Sequence, residues 1–372
     1  MKKNDLPTPM ILVDQDILSH NINKYQTACD HYQKQLWPMI KTHKSTAIAK
    51  MQLQAGAMGF LCGTLDECEI LVDAGIKNIM YAYPVATQAS IDRVIELKKK
   101  CPIILRIDGL ESAKRINNAA KVAEVIIDYT IIINSGLNRL GINPEQAVWF
   151  AKEMTTYKNL RLKGISTHPG HVYAATNANE VLQCAKQEVE ALQVASDLLK
   201  ADHFELEMIT TGSTPTFSDA VMNHNIDIFH PGNYVFHDAI QIALGVAQES
   251  ECALTILASV ISNQEPGIFI IDAGSKTLGL DKGAHGNTSI KGYGIIKGQS
   301  EAEIISLSEE VGKISVPMNS VLKVGDKVEI IPNHACVPAN LTSRLISCKG
   351  EDVVGEIEID MRGNTKIFKK YQ

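Results

Sequence analysis

Beginning near residue 36, two hydrophobic patterns alternate along the chain. Short β-rich runs stand at 37–41, 59–64, 78–84, 102–108, 125–134, 164–168, 204–211 and 227–232. They are apolar without strict alternation, as strands covered on both faces must be. Between them, stretches such as 65–74, 88–100, 144–157 and 179–200 carry apolar residues at three- and four-residue spacing. That spacing is the stripe a helix needs to cover a sheet. This succession predicts a (β/α)8 TIM barrel over residues 1–245. After about residue 245 the texture changes to short β runs at 253–262, 267–273, 302–306, 327–331 and 353–361, separated by Gly, Asn, Asp and Pro. No long helical pattern lies among them, so residues 246–372 read as a second, all-β domain. The run 10–13, ahead of the barrel, can add a strand to that domain.

Composition narrows the classes. The 372 residues carry 42 acidic and 36 basic side chains, a formal charge of −6, with no Lys/Arg-rich block to hold nucleic acid. No run approaches the roughly 18 consecutive apolar residues of a membrane span. No apolar leader follows Met1-Lys2-Lys3. The eight cysteines lack paired spacing, which predicts reduced thiols in a cytoplasmic protein.

Barrels of this kind hold their working residues just beyond the C-terminal ends of the strands. Those positions carry Lys41-Thr42-His43-Lys44, Tyr83, Asp108, the loop 134–139 with Arg139, the segment 168–173 with His168, His171 and Tyr173, and two small-residue turns. Lys41 leaves the end of Trp37-Pro38-Met39-Ile40 and is the residue type for Schiff-base chemistry, with Lys44 an equal claimant. Gly212-Ser213-Thr214 and Gly232-Asn233 follow strands seven and eight, where such barrels bind phosphate through backbone N–H groups. His334-Ala335-Cys336 ends a β run of the second domain. Residues two apart on an extended chain face the same way, and imidazole with thiolate suits zinc ahead of magnesium or manganese. Only two ligands are visible, so water or substrate must complete the shell. Taken alone, a His-x-Cys is more often simply buried.

Together these residues resemble the fold-type III pyridoxal-phosphate enzymes: alanine racemase and its relatives D-serine dehydratase and D-threonine aldolase. The resemblance runs from Thr8-Pro9 to about Gly363. Its most specific pieces are Lys41-Thr42-His43-Lys44, Gly59-Phe60 through Glu67, Ala82-Tyr83-Pro84-Val85, Asp272-Ala273-Gly274-Ser275-Lys276 and Pro332-Asn333-His334-Ala335-Cys336. It implies pyridoxal 5'-phosphate carried on Lys41, with His168 against the cofactor ring and Tyr173 near the pyridine nitrogen. It also implies a phosphate cup of Gly212, Ser213, Thr214, Gly232 and Asn233, and a metal pair of His334 and Cys336. Cys336 stands where the aldolase branch usually has Asp, which favours the dehydratase, and zinc over manganese. Asn134-Ser135-Gly136-Leu137-Asn138-Arg139-Leu140-Gly141 is similar to the racemase branch, with Asn134 in place of the usual Asp. Arg139 there faces the cofactor, the substrate carboxylate or a structural ion pair.

The activity implied is elimination from a β-hydroxy D-amino acid such as D-serine, giving a keto acid and ammonia. Lys41 takes the α-proton, zinc holds the β-hydroxyl, and His168 or His171 supports the ring, the carboxylate or a proton. The alternatives are retro-aldol cleavage to glycine and an aldehyde, amino-acid racemisation, and cofactor carriage without catalysis. Racemisation is disfavoured because the only tyrosines after residue 245, Tyr293 and Tyr371, lie outside the racemase motif. Carriage leaves the second domain unexplained. The family implies a small-molecule amino-acid substrate and a head-to-tail homodimer with sites at the interface.

Overall fold

The computed structural model describes residues 1–283 and 290–362; Tyr371 lies outside the described residues. The chain opens with β1 (Met10–Asp14), followed by the barrel strands β2 (Gln35–Leu36), β3 (Phe60–Cys62), β4 (Ile79–Tyr81), β5 (Ile103–Ile107), β6 (Ile127–Ile132), β7 (Leu160–Ser166), β8 (Met208–Thr211) and β9 (Ile228–Phe229). The eight barrel strands are parallel, in the order β2-β9-β8-β7-β6-β5-β4-β3. A parallel bridge between Met39 and Leu61 closes the ring. Every residue of β6 is buried, as a strand enclosed by barrel and helices requires. Gly164 lets β7 and β8 approach: a Cβ there would sit 1.7 Å from the Met208 carbonyl oxygen.

The covering helices show why the sequence adopts them. The helix Gln88–Lys100 is capped by Thr87, buries Ile91, Val94, Ile95 and Leu97, and ends on three lysines that oppose its negative terminus. The helix Leu65–Asp73 opens with a reciprocal capping box between Thr64 and Glu67.

The first barrel strand differs from the sequence expectation. It pairs earlier, over Gln35–Leu36, is interrupted at Pro38, which has no N–H to donate, and beyond it only Met39 is bridged before Lys41. Pro38 accepts from Leu61 N at 3.0 Å instead, and Ile40–Thr42 forms a single tight turn.

The second sheet holds β10 (Leu254–Glu265), β11 (Ile268–Ile271), β12 (Ile295–Ile296), β13 (Glu303–Leu307), β14 (Gly312–Ser315), β15 (Lys327–Ile331), β16 (Arg344–Lys349) and β17 (Asp352–Glu358). β1 belongs to it, antiparallel to β10 and parallel to β16. The N-terminus is thereby woven into the C-terminal sheet. Several hydrogen bonds link this sheet to the barrel, two sets of them near the site. Asp360 accepts from Thr46 N at 2.9 Å, capping the helix Thr46–Ala55. Ala239 N and Ile240 N donate to Pro332 O and Asn333 O at 3.1 and 3.2 Å. Among the described residues no helix is long and apolar enough to cross a membrane.

Candidate active site

The cavity at the C-terminal ends of the barrel strands is roofed by the loop after β15 and has a volume of about 1150 Å³ counting its open mouth. The turn after Pro38 delivers Lys41 and Thr42 to its wall. Lys44 takes the left-handed conformation at φ 48° and turns away. Its ammonium lies 3.4 Å from the buried Glu67 carboxylate, which also accepts from Gly63 N at 2.6 Å. Burial raises the Glu67 carboxyl above its ordinary range, and Lys44 and the two backbone donors hold it back. The two lysines of the motif are thus separated: Lys44 is neutralised and Lys41 faces the cavity.

The two small-residue turns line the same cavity. Gly212 sits at φ 155°, and a Cβ there would be 2.5 Å from His230 N. A Cβ on Gly232 would be 3.0 Å from Thr42 Oγ1. Both glycines leave a cradle that any side chain would fill. Ser213 Oγ lies 3.1 Å from Thr216 Oγ1, and Thr214 Oγ1 accepts from Tyr234 N at 3.1 Å. His168 donates from Nδ1 to the Gly212 carbonyl at 2.9 Å, which leaves Nε2 as an acceptor. Burial, with Lys41 and two arginines beside it, lowers His168 to about 3, so the imidazole is neutral. Tyr173 and Asn233 line the same wall, and burial pushes the Tyr173 phenol up. Arg139 stands at the mouth with its guanidinium 5.9 Å from the centre of the Tyr83 ring. The loop that carries it is held by Asn134, whose Oδ1 accepts from Gly136 N and Asn138 N at 3.1 Å each.

The roof brings His334 and Cys336. The chain there is not extended, which corrects the reasoning from strand geometry. Ala335 is already helical, and Cys336 opens the short helix Cys336–Leu341. The pair meets because the turn is anchored: Asn333 donates to the carbonyls of Asp281 and Gly292 at 2.8 and 3.0 Å. His334 Nδ1 lies 3.3 Å from Asp281 Oδ2, and Cys336 Sγ lies 3.4 Å from Thr42 Oγ1. Burial opposes both charges, yet His334 and Cys336 together outweigh it, raising the imidazole and lowering the thiol.

One expected residue is not brought in. His171 lies outside the cavity wall with Nε2 3.1 Å from Gln187 Oε1, since the turn Gly170–Ala174 points it toward the helix Ala178–Ala201. Three residues were not anticipated. Arg106 crosses the cavity floor, donating to Ser166 Oγ at 2.8 Å and to Thr167 O at 2.7 Å. Burial lowers its guanidinium to about 10. Its signal was a charge inside the run Ile103-Ile104-Leu105-Arg106-Ile107. His230 donates from Nδ1 to Trp37 O at 2.7 Å, and its Nε2 is buried in the cavity wall without a partner. Asp238 joins the turn after β9 to the roof.

These features fit the groups the resemblance implies. The two glycine cradles with Ser213 suit a phosphate, and Lys41 suits a carbonyl carbon. The orphaned His230 Nε2 suits a polar ring edge. His334 and Cys336 are a soft nitrogen–sulfur pair suited to zinc, with the remaining positions open to water or substrate. Among the described residues no group of three or more His, Cys, Asp or Glu side chains is arranged to hold a metal ion.

Comparison with known proteins agrees with the fold. The model of the alanine racemase N-terminal domain matches residues 13–239. The chain belongs to this family. A second model, described as "Putative serine dehydratase domain", matches residues 253–348. Among family members, the D-threo-3-hydroxyaspartate dehydratase of Delftia sp. (strain HT23) is 28% identical over 348 residues, covering 89% of this chain and 91% of the relative. The D-serine dehydratase of Dictyostelium discoideum is 27% identical, covering 91% and 93%. In three dimensions the Delftia sp. HT23 dehydratase superposes with TM-score 0.89 at 25% identity over 96% of this chain and 98% of that one. The D-threonine aldolase of Filomicrobium marinum shares the fold with TM-score 0.89 at 24% identity, covering 98% of each chain.

Proposed function

We propose that the protein is a pyridoxal-phosphate- and metal-dependent lyase acting on β-hydroxy D-amino acids, with dehydration to a keto acid and ammonia as its main reaction. The observation that carries this reading is that Lys41, the Gly212 and Gly232 turns, and His334 with Cys336 line one cavity, although they come from opposite ends of the chain. Relatives named as dehydratases of D-serine and D-threo-3-hydroxyaspartate support it.

Gly212, Ser213, Thr214, Gly232 and Asn233 would hold the cofactor phosphate, and Lys41 its carbonyl carbon. The cofactor supplies an electron sink for the carbanion at Cα. His334 and Cys336 would hold a zinc ion, which supplies Lewis acidity toward the β-hydroxyl. A D-threo-3-hydroxyaspartate dehydratase variant described as in the metal-free form points the same way. Lys41 would take the α-proton. His168 stays neutral, spends its Nδ1–H on Gly212 O, and packs as a fixed wall. Arg139 and Arg106 make the mouth and floor cationic, which orients a carboxylate. The reading includes a head-to-tail homodimer, in keeping with Met318 and Val321, 79% and 80% exposed on the β domain. It also includes the cytoplasm, where eight unpaired cysteines remain reduced.

The test incubates cofactor-loaded protein with D- and L-serine, threonine and hydroxyaspartate, with and without a chelator, and identifies the products. Ammonia and a keto acid from the D-isomer, lost with chelator, are expected. Glycine and aldehyde would replace the dehydratase by the aldolase, and inverted amino acid alone would replace both by a racemase. Borohydride reduction should fix the cofactor on the peptide bearing Lys41, and labelling of Lys44 would overturn that assignment.

A further inference from the structure

Asp238 is wholly buried, yet it makes no ion pair with Lys or Arg among the described residues. It serves three donors. Oδ1 accepts from Gln241 N at 3.1 Å, capping the helix Ala239–Ala243. Oδ2 accepts from two donors on opposite sides of the domain boundary: Asn233 Nδ2 at 2.6 Å and Ala335 N at 2.9 Å. Asn233 follows Gly232 in the turn that closes the cup, and its backbone carbonyl accepts from His237 N at 2.9 Å, which fixes that turn against the residue beside Asp238. Ala335 is the residue between His334 and Cys336. One carboxylate oxygen therefore holds the cup and the ligand turn at once. Backbone bonds reinforce the seam, from Ala239 N and Ile240 N to Pro332 O and Asn333 O at 3.1 and 3.2 Å, and Cys336 Sγ reaches Thr42 Oγ1 across it at 3.4 Å.

From this we infer that Asp238 is a positioning residue that couples the two halves of the site, so that filling the cup tightens metal binding at His334 and Cys336, and the reverse. The inference rests on the proposed cofactor and metal sites. Its physical basis is economy of order. A buried carboxylate must keep its donors, because each one lost leaves a charge unsolvated. Immobilising Asn233 fixes Oδ2, and a fixed Oδ2 holds Ala335 N where both ligands face the ion. A first ligand that orders the seam spares the second the cost of doing so, which is positive coupling, and by linkage it is reciprocal.

Asp238→Ala tests it by removing the shared acceptor. Without the carboxylate, Asn233 Nδ2 and Ala335 N lose the one oxygen they share, so both sides of the seam are cut. The measurement is the dissociation constant of pyridoxal 5'-phosphate with zinc-loaded and with metal-free protein, followed by its absorbance. Its mirror is the zinc dissociation constant with and without the cofactor. In the wild-type protein the metal-loaded form should bind cofactor at least about 5-fold more tightly than the metal-free form. In Asp238→Ala that ratio should fall close to one. Loss of the carboxylate charge alone would weaken zinc equally with and without cofactor, leave the ratio intact, and so overturn the inference.

If Asp238→Ala fails to fold, Asn233→Ala serves, since it severs only the barrel side of the bond. Its zinc affinity without cofactor should stay within about twofold of wild type while the coupling ratio collapses. A wild-type ratio of one with both groups bound would also overturn the inference and leave the proposed function standing. Failure of wild-type protein to bind zinc or cofactor at all would sink the proposed function itself, and the inference with it.

Discussion

At the residue scale, the site depends on groups whose charge state the fold has already chosen. Glu188 is the plainest case. It lies wholly buried in the helix Ala178–Ala201, bonded to Thr211 beside the phosphate cup. Burial raises its carboxyl from 4.5 to about 7, against the pull of Thr211 and Thr216. The folded protein therefore binds this proton more tightly than the unfolded chain does. The stability it contributes is fully present below about 4.5 and is lost as the pH rises through about 7. Glu188→Gln keeps the shape without the ionisation. Relative to wild type its stability should climb between about pH 5 and pH 8, by no more than about 3 kcal/mol, in urea melts taken across that range. A constant difference between the two proteins at every pH would show that Glu188 does not titrate in the fold. Gly212→Ala makes a second residue-scale prediction. A Cβ there meets backbone 2.5 Å away, so cofactor affinity should drop at least about tenfold, read by absorbance titration, while Lys41 remains in place.

At the element scale, the helix Thr46–Ala55 joins the lysine turn to the β domain. Its own cap is weak, with Ser45 Oγ 3.5 Å from Ile48 N, and Asp360 supplies a cap from the other domain. Asp360→Ala should cost about 1 kcal/mol in stability, the usual loss of a helix cap, and should raise the dissociation constant for cofactor because Lys41 sits one turn away. Unchanged stability together with unchanged cofactor binding would remove that joint from the account.

The same scale shows what could be read in advance. The barrel was legible because its strands are uninterrupted apolar runs and its helices keep a clean three-four stripe, as in Gln88–Lys100. β12 and β14 were missed because two and four residues are too short to show a period. β16 was missed because exposed Arg344 and Lys349 bracket its apolar centre. The candidate site was legible at strand ends, where Lys41, His168 and Gly212 fall. Arg106, His230 and Asp238 were not, because the tilt of the strands and the docking of the roof decide which side chains face the cavity. His171 failed for the matching reason: it follows the right strand but belongs to a turn that rotates it outward.

At the scale of the whole molecule, the two halves are not separable by cutting between them. β1 lies between β10 and β16, and Leu12 and Val13 on it are 1% and 0% exposed. Leu6 and Leu12 pack with Leu257, Ile346 and Cys348 in one cluster, with Met10 and Val353 against it. Without this strand, β10 and β16 would each present an unpaired edge over exposed apolar surface, a combination that favours aggregation over folding. A fragment of residues 246–372 should therefore lack cooperative unfolding and bind no zinc with useful affinity. Supplying residues 1–14 as a peptide should restore β structure by circular dichroism, because the ladder from Met10 to Val13 against Leu257 to Leu254 is then complete. If the fragment alone unfolds cooperatively and binds zinc, the N-terminal strand is an ornament on a self-sufficient domain. If only the peptide-supplemented fragment does so, the chain must return to its own beginning before His334 and Cys336 can form a site.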